Sequence, residues 1–150
     1  MDLGLSGLTA LVTASSKGLG FAAARELVRE GARVMINGHD QGNLDAALAR
    51  LRDEFGTGAT VAAHAADLTE GWAIDRLVAA TVAEFGGLDI LVTNNGGPPG
   101  GTFETTSLDD WRQGIDRTLM SAVLLVRAAL PHLEKSAAAS ILTVTSVSVK

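Results

Sequence analysis

Thr13-Ala14-Ser15-Ser16-Lys17-Gly18-Leu19-Gly20 separates an apolar run, Ala10-Leu11-Val12, from a helical pattern over residues 21–30. A strand that turns on glycines directly into a helix leaves the first backbone N–H groups of that helix without partners. Those donors and the positive end of the helix dipole form an anion site. Gly18 and Gly20 carry no Cβ, so a diphosphate can approach the backbone. Thr13, Ser15 and Ser16 offer hydroxyls, and Lys17 offers charge. Two readings are open at this point: a phosphate cradle, or an ordinary strand–helix turn with glycines in it.

Outward from this turn, the pattern is strand, helix, strand, helix. Residues 8–12 form an apolar strand. In the helix that follows, Ala22, Ala23, Leu27 and Val28 are predicted to share the buried face, and Gly31 ends it. Residues 33–37 form a second strand. Asn43 is predicted to cap a helix running to Phe55, with Leu44, Ala47, Leu48 and Leu51 inward. Residues 59–65 form a third strand, and residues 70–85 a helix built on Ile74, Leu77, Val78, Thr81 and Val82. Residues 88–93 form a fourth strand and residues 94–102 a Gly/Pro loop. Residues 108–134 are predicted as one long helix, and residues 140–147 as a fifth strand. Each strand is a continuous apolar run, the mark of a parallel sheet covered on both faces. With right-handed crossovers the expectation is an α/β doubly wound parallel sheet, a Rossmann fold, in one domain over residues 1–150.

Composition narrows the classes. The chain has 150 residues, 47% hydrophobic and 19% charged, as expected for a folded globule. The net charge is −5 without a basic block, which argues against a nucleic-acid surface. There is no cysteine, hence no disulfide and no thiolate metal site. The N-terminus lacks the pattern of a signal peptide, and the apolar stretch over residues 119–130 is too short to span a membrane, so a cytoplasmic location is expected. His64 and His132 have no partner at metal-ligand spacing and are read as structural; no metal is expected. Residues 118–130 are apolar on nearly all sides. One face must meet the sheet, and the other is predicted to meet a second copy of the chain, giving a homo-oligomer through the 108–134 helix.

Taken together, these residues resemble the short-chain dehydrogenase/reductase family, in its 3-oxoacyl-ACP-reductase-like form, along the whole chain. Thr13 to Gly20 is similar to the family's Thr-Gly-x-x-x-Gly-x-Gly cofactor turn. Asp67-Leu68 falls where the family has an Asp that contacts adenine; as a residue type, Asp67 also suits a helix N-cap. Asn94-Asn95-Gly96-Gly97 resembles Asn-Asn-Ala-Gly. Gly96 permits backbone approach to a ribose, although turn chemistry alone also accounts for the glycines. Asn94 either touches the cofactor or ties the loops together. Thr145-Ser146-Val147 resembles the end of the strand that delivers the family's catalytic serine, and Trp111 with its helix resembles the interface helix. Thr13 to Gly20, Asp67, Asn94 to Gly97 and Ser146 follow strands one, three, four and five, so they share the rim where open parallel sheets bind ligands.

The resemblance implies a nicotinamide dinucleotide held by Thr13, Ser15, Ser16, Lys17, Gly18, Leu19, Gly20, His39, Asp67, Leu68, Asn94 and Gly96. The end of strand two has no carboxylate at the position that would repel a 2′-phosphate. Gly38 stands there, followed by His39, so NADP is expected over NAD. If Asp40 turned inward, it would favour a ribose and NAD. The alternative reading of His39 is a solvated loop residue. Three departures stand out. Ala14 replaces the first glycine of the turn. Thr118 replaces an Asn that helps hold a proton-relay water in the family. The family's Tyr-x-x-x-Lys does not occur, and the chain has no tyrosine. The sequence is accordingly read as the N-terminal part of a longer protein, with the fold incomplete on its C-terminal side. The implied activity is hydride transfer between a nicotinamide and a small carbonyl or alcohol substrate, with Ser146 and Thr118 as catalytic residues. The competing expectation is a non-catalytic nucleotide-binding regulator; a Rossmann-type methyltransferase explains the 94–99 loop poorly.

Overall fold

A computed structural model describes residues 3–145. Five parallel strands, β1 (Thr9–Val12), β2 (Arg33–Gly38), β3 (Val61–Ala65), β4 (Ile90–Thr93) and β5 (Ser140–Thr143), form one sheet in the order β3-β2-β1-β4-β5. The chain winds outward from β1 to β3, then returns to place β4 on the other side of β1. The switch in strand order therefore falls between β1 and β4, directly above which a doubly wound sheet opens a crevice.

Helices α1 (Gly18–Arg29) and α2 (Gln41–Phe55) cover one face of the sheet. Helix α3 (Gly71–Phe85), together with α5 (Ser121–Leu133), covers the other. The apolar strands face both layers: Val12, Val34 and Ile36 pack towards α1 and α2, while Leu11, Met35 and Leu91 pack towards α3 and α5. Each fully buried Leu or Ile of this set contributes about 2 kcal/mol of burial. Strand β5 is the exception, with exposed side chains on all four residues.

The observed elements differ from expectation in instructive places. The buried face of α1 is Gly20, Phe21, Ala24 and Val28; Ala22 is exposed, and Ala23 and Leu27 are half-buried. Asp40, not Asn43, caps α2, and its side chain accepts from the Asn43 N–H at 2.7 Å. The predicted 108–134 helix is α4 (Leu108–Ile115) and α5 joined by a π turn, Asp116–Met120. A π turn loosens the usual carbonyl partners. Two hydroxyls serve them instead: Thr118 donates to the Gly114 carbonyl and Ser121 to that of Arg117, each at 2.6 Å. No helix among the described residues is long and apolar enough to cross a membrane.

Candidate functional site

A cavity of about 500 Å³ lies at the carboxyl rim of the sheet, over the switch in strand order. Ala14, Ser16, Lys17, Gly18 and Leu19 of the first turn line it, with Asn37, Gly38 and His39 at the end of β2. Asp67, Leu68 and Thr69 after β3 and Arg117 of the π turn line it as well. Asn94 to Gly97, after β4, closes the middle.

The turn itself is held by struts buried beneath the cavity. The Thr13 hydroxyl donates to the Asn94 carbonyl at 2.7 Å and accepts from the Asn94 N–H at 2.9 Å. The Ser15 hydroxyl donates to the Val12 carbonyl at 2.6 Å and accepts from the Asn37 N–H at 2.9 Å. Both residues are fully buried, and neither lines the cavity. Their hydroxyls therefore brace the turn and are not available to a phosphate. Ser16, Lys17 and the backbone remain for that purpose.

Ala14 adopts φ +45°, the left-handed region that glycine reaches without cost. Ala14 stands where the resemblance expects a glycine, and it holds a backbone conformation that glycine favours. Its N–H donates to the Asn37 side chain at 3.2 Å, and its carbonyl accepts from the Asn94 amide at 3.2 Å. Gly18 also has positive φ, at +61°. At Gly20 the constraint is space: a Cβ would lie 2.4 Å from the Ala14 carbonyl oxygen and 2.8 Å from Asn94 Nδ2. Gly20 is buried under the turn and so shapes the cavity without lining it. Helix α1 starts after Lys17 with no side-chain cap and no acidic residue in its first turn, which leaves its N–H donors aimed at the cavity.

Asn37 was not singled out by motif, yet it connects three segments. Besides accepting from Ala14, its amide donates to the carbonyls of His64 at 3.1 Å and Ala66 at 3.2 Å. A buried Asn at the end of an apolar strand was the available signal, since such a group must be hydrogen-bonded. Asn94 likewise ties the loops together, and it also lines the cavity.

Asp67 is not the cap of α3, which begins after Glu70. Its Oδ1 accepts from the Thr69 N–H at 2.9 Å and the Thr69 hydroxyl at 2.8 Å. These bonds, the backbone one foremost, hold its carboxyl below the ordinary range; burial opposes them, and His39 and Arg117 add smaller attractions. Arg117 went unnoticed in the sequence because an arginine on a helix surface has no signature. The neighbouring Thr118 does not join this cavity. It lines a separate one of about 390 Å³ with Pro98, Pro99, Phe103 and Trp111. Ser146 lies outside the described residues. Among the described residues, no cluster of His, Asp and Glu is placed to hold a metal.

The family model for short chain dehydrogenases matches residues 8–150. The protein named dehydrogenase/reductase SDR family member 4 from Homo sapiens is 35% identical over 144 residues, which is 95% of this chain and 51% of that protein. Among solved structures, L-sorbose reductase from Gluconobacter frateurii, complexed with NADPH and L-sorbose, superposes with a TM-score of 0.92 at 31% identity, covering 98% of this chain and 55% of that one. An NADPH-bound short chain oxidoreductase from Pseudomonas aeruginosa, described as containing an atypical catalytic center, superposes with a TM-score of 0.89 at 33% identity over 93% and 54%. The chain thus spans about half the length of the relatives it matches. A match over nearly every residue, on a sheet wound in this order, shows that the chain belongs to the short-chain dehydrogenase family.

Proposed function

We propose that this chain is the dinucleotide-binding part of an NADP-dependent oxidoreductase that passes hydride between the nicotinamide and a small carbonyl or alcohol substrate. The observation that carries this reading is the uncapped N-terminus of α1, open to a rim cavity of dinucleotide size beneath a strained turn. The nicotinamide supplies the hydride chemistry when bound. The chain's own residues would hold the diphosphate on the α1 N–H groups, with Lys17 beside it, and the adenine against Asp67 and Leu68.

Three features support NADP. Gly38 has no side chain to fill the space after β2, and Lys17 and His39 line the cavity. Asp40 is engaged as the cap of α2 and does not line the cavity. A 2′-phosphate beside Gly38 would therefore meet Lys17 and the His39 imidazole in place of the Asp40 carboxylate. Ser146, which follows the β5 strand in sequence, is proposed to hydrogen-bond the substrate oxygen and stabilise the developing alkoxide. Thr118 stands in the separate cavity, and its part in catalysis rests on the resemblance. The Pseudomonas aeruginosa relative supports NADPH binding without the usual catalytic set.

The exposed side chains Leu108, Trp111, Ile115, Leu119, Val123 and Leu130 support self-association through α4 and α5. Trp111→Asp would then lower the mass measured by light scattering.

The test is NADPH oxidation with ketones, sugars and acyl thioesters, alongside titration with NADPH and NADH. Tighter NADPH binding is expected, with Lys17→Ala and His39→Ala weakening NADPH more than NADH. Binding of neither dinucleotide would refute the cofactor reading. Full activity in Ser146→Ala would refute the role of that serine.

A further inference from the structure

We propose that Arg117, in the π turn, lays its guanidinium plane against the face of the bound adenine. The inference rests on the dinucleotide reading above and deepens it.

Two consecutive residues of the π turn line different cavities. Arg117 lines the rim cavity, and Thr118 lines the separate cavity beside Pro98 and Trp111. Arg117 also differs from most arginines of this chain. Arg25, Arg29 and Arg112 pair with carboxylates, Arg33 and Arg52 donate to backbone carbonyls, and Arg50 and Arg76 lie over aromatic rings. The Arg117 guanidinium has no such partner among the described residues, although it lines a cavity and lies close enough to Asp67 to favour its carboxylate. A planar cation in that position is available to a ligand.

The neighbours of Arg117 decide which part of the ligand it meets. The diphosphate is read onto the α1 turn beside Lys17. Arg117 lines the cavity with Asp67, Leu68 and Thr69, and its charge favours the Asp67 carboxylate. Asp67 uses Oδ1 for Thr69, which leaves Oδ2 to accept from the edge of a purine amino group. With the edge so met and the diphosphate on the α1 turn, the surface left to Arg117 is the flat face of the base. Guanidinium groups stack well on such faces; the compact ammonium of lysine does not.

The experiment titrates the protein and its Arg117→Met and Arg117→Lys variants with ADP, NADH and NADPH. Arg117→Met is expected to weaken all three by one common factor of about tenfold. Arg117→Lys should weaken them nearly as much, because charge without a plane does not stack. The side chain is exposed and unpartnered, so both variants should melt with the wild type. Unchanged affinity in Arg117→Met overturns the proposal. Full recovery by lysine overturns it in favour of simple charge attraction. A loss confined to NADPH overturns it by placing Arg117 at the 2′-phosphate. If the wild type binds none of the three ligands, the cofactor reading itself has failed; if it binds them and the variants match it, only this inference has.

Discussion

At the amino ends of the strands, Asp89 accepts from the Thr9 N–H at 2.7 Å and from the Ser136 hydroxyl at 2.6 Å, while Arg33 donates to the carbonyls of Gly7 and Phe85. These polar groups face one another and knit the connections together. At the carboxyl ends, Thr13 and Ser15 do the same work fully buried, and the nearly buried Asn37 does it at the cavity lining. Above them Lys17, His39, Asp67 and Arg117 line an open cavity. The difference shows how a sheet with two similar rims acquires one site. Struts are present at both ends; strained backbone, an uncapped helix and unspent charge occur together at the carboxyl rim.

Substitutions that act on one rim and spare the other test this contrast. The largest effect is expected from Gly20→Ala, because the added Cβ meets backbone and the Asn94 amide. Overpacking of this kind costs about 2–3 kcal/mol of stability, and nucleotide affinity should fall by at least about tenfold, read by denaturant unfolding and NADPH titration. At the opposite rim, Asp89→Ala leaves the Thr9 N–H without its acceptor and should cost about 2 kcal/mol. Its Kd for NADPH should match the wild type; a weakened Kd would break the division between the rims.

Smaller effects sharpen it. Ala14→Gly relieves the positive φ and should raise stability by about 0.5–1 kcal/mol, after the greater freedom of glycine in the unfolded chain is subtracted. At the lower rim, the buried Thr9 hydroxyl has no hydrogen-bond partner. Thr9→Val should therefore raise stability by about 0.5 kcal/mol, seen as a higher Tm. The smallest expected change is at Asp67, whose carboxyl is held low chiefly by Thr69. In Thr69→Ala the backbone bond persists and the hydroxyl bond is lost, so the Asp67 pKa should move up towards the ordinary carboxylate value, as read by carboxyl NMR. The sign follows: stability from these bonds is complete above the unfolded carboxyl pKa and disappears as pH falls through the lowered folded one.

Much of the fold was legible. Apolar runs such as residues 88–93 and helical spacing such as Leu44, Ala47 and Leu51 are local patterns, and burial follows from them directly. The cavity wall from Ser16 to Leu19, His39, Asp67, Leu68, Asn94 and Gly96 was legible as well, because each residue follows a strand and strand ends share a rim. Less of the detail survived. The cap of α2 shifted from Asn43 to Asp40, since both residue types cap and only backbone geometry selects between them. The break in the 108–134 helix was invisible: nothing in Asp116-Arg117-Thr118-Leu119-Met120 departs from ordinary helical composition.

The sequence by itself determined the alternation of strand and helix, the parallel sheet, and the rim on which a dinucleotide would lie. Each of these depends on residue spacing within a few turns of chain. Tertiary structure alone decided which polar side chains serve as struts and which face the cavity. Ser15 is occupied because Asn37 lies 22 residues away, and Thr13 because Asn94 lies 81 away. Arg117 lines the cavity although it lies 50 residues beyond Asp67 in the chain. A polar group takes whichever partner the fold brings within about 3 Å, and that proximity is not written in the local pattern.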